Sequence, residues 1–102
     1  IAALSQSVAN EEESNGIDLA VTAAPNPLRD RTTVAFGVAE AADVRVAVYD
    51  ALGREVALLA EAPYAAGRHE LTFEANDLPA GVYVIRAVVG AEARMARVTL
   101  AR

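Results

Sequence analysis

Residues 44–56 read VRVAVYDALGREV, and how this stretch is read decides the fold. Val44, Val46 and Val48 alternate with Asp43, Arg45 and Tyr49, which is the period of a strand with one buried face. Val56 and Leu58 start a second such run with the same parity. Between them, Asp50 offers a carboxylate to backbone N–H groups, and Gly53 supplies the positive φ that a short hairpin loop needs. The rival reading makes Asp50, Arg54 and Glu55 the rim of an active site.

The rest of the chain supports the hairpin. Ile17, Leu19, Val21 and Ala23 share one face, with Asp18, Ala20 and Thr22 opposite. Val34, Phe36 and Val38 repeat the alternation, as do Leu71, Phe73 and Ala75 against Glu70, Thr72 and Glu74. In GVYVIRAVVG, 81–90, the odd positions Tyr83, Ile85, Ala87 and Val89 must face inward, because Arg86 does not share a buried face cheaply. Ala96, Val98 and Leu100 complete the series, leaving Arg97 and Thr99 outside. No segment after Ile17 keeps a helical stripe over three turns. The expectation is all-β: an immunoglobulin-like antiparallel β-sandwich of about seven strands.

Residues 1–16 differ in composition. They hold every serine (Ser5, Ser7, Ser14) and the acidic run Glu11–Glu13, which reads as a flexible inter-domain linker ahead of a sandwich domain at 17–102. Beginning at Ile1 without Met or a basic leader, the chain reads as a piece of a longer protein. At 102 residues it makes one domain. It is 54% hydrophobic but only 5% aromatic, so Val, Leu, Ile and Ala must fill the core. Cysteine is absent, which excludes disulfides and thiolate metal sites. Fourteen acids against nine arginines, with no lysine, give a net charge of −5. That balance argues against a nucleic-acid partner, which needs a basic face. No apolar run reaches the roughly 20 residues of a transmembrane segment.

Chemistry has few places to sit. A serine hydrolase needs Ser, His and a carboxylate held in one constellation, and here the serines all fall in the linker. The single histidine, His69, shares the parity of Leu71 and Phe73 and reads as a partly buried spacer. One His without Cys does not make a zinc site. Asp43, Asp50, Asp77 and Glu11–Glu13 do not form a calcium-loop pattern, and the glycines are too scattered for a phosphate loop. No catalytic residue, metal or other cofactor is expected. Sugar binding needs a flat exposed aromatic; there is no Trp, and only Tyr49 and Tyr64 are left for that role. NDLPAGVY, 76–83, places an inward tyrosine after a Leu-Pro-x-Gly turn, so Tyr83 reads as a structural hydroxyl bonded to nearby backbone, as in a tyrosine corner.

Four motifs occur in order: PNP with RTTVAF (Pro25 to Phe36), VAVYDALGREVALL (Val46 to Leu59), GRHELTFEANDLPAGVYVIR (Gly67 to Arg86) and RVTLAR (Arg97 to Arg102). Together they make the run from Pro25 to Arg102 resemble the C-terminal sorting domain of cargo of the type IX secretion system. The structural motif residues are Pro25, Asn26, Pro27, Asp50, Gly53, Leu78, Gly81 and Tyr83. The family often carries lysines in the last strand; this chain has Arg94, Arg97 and Arg102, which keep the charge but change its shape.

The resemblance implies a non-catalytic label that directs a larger secreted protein, such as an enzyme, through the outer membrane to the surface of a Gram-negative cell by way of the periplasm. The implied partners are the outer-membrane secretion machinery, a sortase-like peptidase and a covalently linked upstream cargo domain, with the label itself monomeric. The implied recognition residues are Arg94, Arg97, Val98, Leu100 and Arg102, with strand addition as a mode of reading. A carbohydrate-binding or passive spacer sandwich in a multidomain extracellular enzyme is the alternative. Solubility is the competing role for the outward arginines.

Overall fold

The computed structural model describes residues 21–102. The expected linker at 1–16, and the Ile17 to Ala20 start of the first strand, lie outside the described residues. Among the described residues seven strands follow one another: β1 (Thr22–Ala24), β2 (Arg31–Val38), β3 (Ala42–Tyr49), β4 (Glu55–Tyr64), β5 (Gly67–Glu74), β6 (Gly81–Val89) and β7 (Glu92–Leu100). They form two antiparallel sheets, ordered β1-β2-β5 and β4-β3-β6-β7. The expected β-sandwich is what the chain forms.

Alternation puts the core between the sheets. Val34, Phe36 and Val38 from β2 and Phe73 from β5 face Val44, Val46 and Val48 from β3, Tyr83, Ile85 and Ala87 from β6, and Val98 and Leu100 from β7. Phe36 and Phe73, both fully buried, supply most of the aromatic volume. Of the exposed tyrosine candidates, Tyr64 is half-buried, edge-on to Phe36 at 5.5 Å between ring centroids.

The simplest seven-stranded sandwich puts four strands in the first sheet and three in the second. Here β4 pairs with β3 rather than joining the β1-β2-β5 sheet, which reverses the count. The reason is local. The Asp50–Gly53 turn is tight enough to return β4 beside β3, as a short hairpin loop requires.

β4 corrects one expectation. Val56 and Leu58 were to share the inward face, yet Leu58 is 46% exposed. The register passes from Val46↔Ala60 to Ala47↔Leu58 and from Val48↔Ala57 to Tyr49↔Glu55, so Leu59 and Val56 are extra residues at two bulges. Each bulge resets the alternation. Val56, Ala57, Leu59 and Ala60 therefore pack on the core while Leu58 turns out. This strand is also an edge, where Pro63 needs no ladder partner for its missing N–H. Among the described residues no helix is long and apolar enough to cross a membrane.

Candidate functional site: the last strand and the loops that hold it

β7 is an edge strand, and an edge presents a row of unpaired backbone groups. Much of that row is already occupied. After β1 the chain leaves its own sheet, and the PNPL segment lies along β7. Leu28 N–H donates to Thr99 O at 2.9 Å, and Ala101 N–H donates to Leu28 O at 2.8 Å. The Asn26 side chain continues the ladder: its Nδ2 donates to Arg97 O at 3.1 Å and its Oδ1 accepts from Thr99 N–H at 3.0 Å. Leu28 is fully buried between the sheets, and Thr32 Oγ1 fixes the segment by donating to Pro25 O at 2.8 Å. Pro25 and Pro27 flank the amide that does the capping.

Backbone groups alternate sides along a strand. Since Thr99 turns both its N–H and its C=O to the open edge, so do Arg97, Met95 and Ala93. The far part of the edge, around Ala93 and Met95, lacks the PNPL cover. Even there, Arg94 Nη1 donates to Ala93 O at 2.9 Å.

The other end of the strand is clamped. The Arg102 guanidinium donates to the carbonyls of Ala75, Asn76 (3.2 Å) and Leu78 (2.9 Å) in the loop between β5 and β6. Tyr83 Oη, on the buried side of the same loop, donates to Pro79 O at 2.5 Å. Leu78 N–H closes the loop on Ala75 O at 3.2 Å. A planar, multi-donor head can gather several carbonyls that an ammonium would not align.

The YDALGR turn lies against this loop. Asp50 Oδ1 accepts from Leu52 N–H at 2.9 Å and Arg54 N–H at 3.0 Å, and Oδ2 accepts from Arg54 Nε at 2.9 Å. The Arg54 backbone bond is the main reason the Asp50 carboxyl is held below its ordinary value; partial desolvation opposes it, and the Arg54 side chain and Leu52 N–H reinforce it. Gly53 has φ +84°, the left-handed conformation that this turn needs. A shallow cleft of about 220 Å³ runs between Asp50–Arg54 and Pro79–Tyr83, with Gly81 in its wall. The four motifs, far apart in sequence, thus gather around the last strand.

The five residues named for recognition are placed very differently. Val98 and Leu100 are 1% exposed and belong to the core. Arg102 holds the Ala75–Leu78 loop. Arg94 pairs with Glu92 at 2.9 Å. Arg97 stands on the outer face, opposite Val84 of β6.

Nothing in this arrangement builds a nucleophile or an acid–base pair. His69 Nε2 lies 2.8 Å from Ala65 O. A carbonyl only accepts, so Nε2 carries the proton. Its ring packs 4.9 Å from that of Tyr64 and 5.6 Å from that of Phe36. Among the described residues no group of three His, Asp or Glu is placed to hold a metal. Besides the Arg102 clamp, two features were missed by the sequence reading: the amide cap by Asn26 and the burial of Leu28. Neither carries a periodicity signal, because the loop acts as a strand without alternating like one.

A family model described as the secretion system C-terminal sorting domain matches residues 22–100. No curated protein and no solved structure matches the chain.

Proposed function

The chain belongs to the secretion system C-terminal sorting domain family of type IX secretion, and on that premise we propose that it works as a folded, non-catalytic address label for a larger exported protein. The family's role is to direct export across the outer membrane, to the cell surface or beyond. The finer reading is that a cargo domain lies upstream, that the outer-membrane machinery reads the label as a monomer, and that a sortase-like peptidase acts on it after passage.

One observation carries this reading. The motifs that mark the family converge on the last strand: Asn26 bonds to Arg97 and Thr99, Arg102 holds Ala75–Leu78, and the Asp50–Arg54 turn abuts Pro79–Tyr83. A label must survive transit and present one shape to its reader. A strand capped along one edge and clamped at its end fits that need better than a bare edge does. The same capping argues against strand addition at Arg97–Ala101, where Arg97 O, Thr99 N–H and O, and Ala101 N–H are already taken.

The test is to delete residues 21–102 from the protein that carries them and to locate the remainder. Retention in the periplasm is expected, and normal surface delivery would refute the reading. Removing RVTLAR alone is a poorer test. It takes Val98 and Leu100 from the core, so a loss of export would report unfolding as readily as a lost signal.

A further inference from the structure

The two outer faces of the sandwich are unlike. On the three-stranded sheet, Arg31 lies opposite Glu74, Thr33 opposite Thr72, and Ala35 opposite Glu70. The charged and hydroxyl side chains among these are exposed, as on a face turned to water. On the four-stranded sheet one row is Glu61, Arg45, Val88 and Ala93, with Arg45 paired to Glu61 and Glu55; the next two are Leu58, Ala47, Arg86 and Met95, then Glu55, Tyr49, Val84 and Arg97. Met95 is 67% exposed and Val82 42%, with Leu52 close by at 77%. Apolar side chains gathered on one face mark a surface that something covers.

Arg86, on the inner strand β6, and Arg97, on the edge strand β7, both lie on this surface. Val84 pairs with Arg97 and Arg86 with Met95, so the two arginines are diagonal neighbours on the same face, roughly 7–8 Å apart at the backbone. Among the described residues Arg45, Arg54 and Arg94 are paired with carboxylates, while Arg86 and Arg97, like Arg29, Arg31, Arg68 and Arg102, are not. Beside them an open groove of about 510 Å³ runs between the Tyr49–Gly53 turn and Val84, Arg86 and Met95. It adjoins the end of the molecule where the family's motifs meet, since Asp50 and Ala51 line both this groove and the cleft next to Pro79.

We infer that this face is a docking surface for a protein partner of the export machinery, through a segment that sets carboxylates over Arg86 and Arg97 and apolar side chains over Val84 and Met95. The inference rests on the sorting reading and says where the label is touched. Charge complementarity selects the occupant. A second copy whose two-fold axis passed through Arg86 and Arg97 would set arginines against arginines. An anionic membrane is bound by clusters of four to eight basic residues, not by two on a chain of net charge −5.

The whole chain, fused behind an inert periplasmic reporter in a secretion-competent bacterium, tests this. The variant carries Arg86→Glu and Arg97→Glu; the control carries Arg68→Glu and Glu70→Arg on the opposite sheet. Surface reporter should fall about tenfold or more for the first and stay normal for the second, with thermal melting of both unchanged. Equal export of the Arg86→Glu/Arg97→Glu fusion would overturn the docking surface and leave the sorting reading standing. Failure of the unmodified fusion to leave the periplasm would bring down both. A photoreactive phenylalanine in place of Met95 identifies the occupant. Cross-linking to a carboxylate-bearing segment of an envelope protein, lost when both arginines are reversed, supports the inference. Cross-linking to a second copy, to lipopolysaccharide, or to nothing overturns it.

Discussion

The Asn26 side chain and the backbone of Thr99 are joined as if Asn26 were one more residue of a neighbouring strand. Oδ1 accepts from Thr99 N–H at 3.0 Å, and Nδ2 reaches the Arg97 carbonyl at 3.1 Å. One side chain closes two rungs of an otherwise open edge. Asn is among the few residue types that can accept and donate through one planar group.

Asn26→Ala therefore removes both rungs at once. A loss of about 1–2 kcal/mol is expected, with a melting temperature lower by several degrees and faster amide exchange at Thr99. Asn26→Asp keeps the acceptor and loses the donor, so it should fall between. Equal exchange at Thr99 in all three proteins would show that the cap contributes nothing.

Gly53 tests the hairpin. No atom lies within 4 Å of the Cβ that a substitution would add, so the cost of Gly53→Val comes only from φ +84°. About 1–3 kcal/mol is expected. Gly53→Asn should cost less, because Asn tolerates the left-handed region. Thermal denaturation separates the two, and an unchanged melting temperature for Gly53→Val would contradict the turn geometry.

Tyr83→Phe keeps the buried ring and removes only the bond to the Pro79 carbonyl. The expected loss is about 1 kcal/mol, read from denaturant unfolding with an unchanged slope. A changed slope would instead mean that the whole β5–β6 loop had let go.

Asp50 gives the domain an acid limb. Its folded-state pKa lies below the ordinary 3.8, chiefly because the charged form accepts the Arg54 N–H. The resulting stability is fully present above the unfolded value and disappears as pH falls through the depressed folded value. The gap between the parent chain and Asp50→Asn should thus be constant near neutral pH and narrow below about pH 4. A gap that widens on acidification would mean that the carboxyl is not stabilised in its charged form.

Strand alternation carried most of the fold. Val34, Phe36, Val38, Val44, Val46, Val48, Tyr83, Ile85 and Val98 lie inside, where period two puts them. The Asp50–Gly53 turn already set β4 beside β3, but period two does not show where a ladder slips, so the bulges at Val56 and Leu59 left no trace that could be read. The bulges depend on how β4 fits the twist of β3, which is a property of the pair. The last strand shows a related limit. Parity already turned Val98 and Leu100 inward, while the family resemblance grouped them with outward arginines for recognition. Burial places those two in the core and leaves Arg97 on the outer face. The roles of Asn26 and Arg102 depend on contacts more than 20 residues away in sequence, which no local pattern encodes.

The most direct test of the address-label account is sufficiency. The whole chain is grafted onto an inert periplasmic reporter, and the reporter's sensitivity to protease is measured on intact cells with and without a working type IX machinery. The account predicts a reporter that protease removes from secretion-competent cells and that stays protected when the machinery is disabled. A reporter protected in both, or degraded in both, would contradict it.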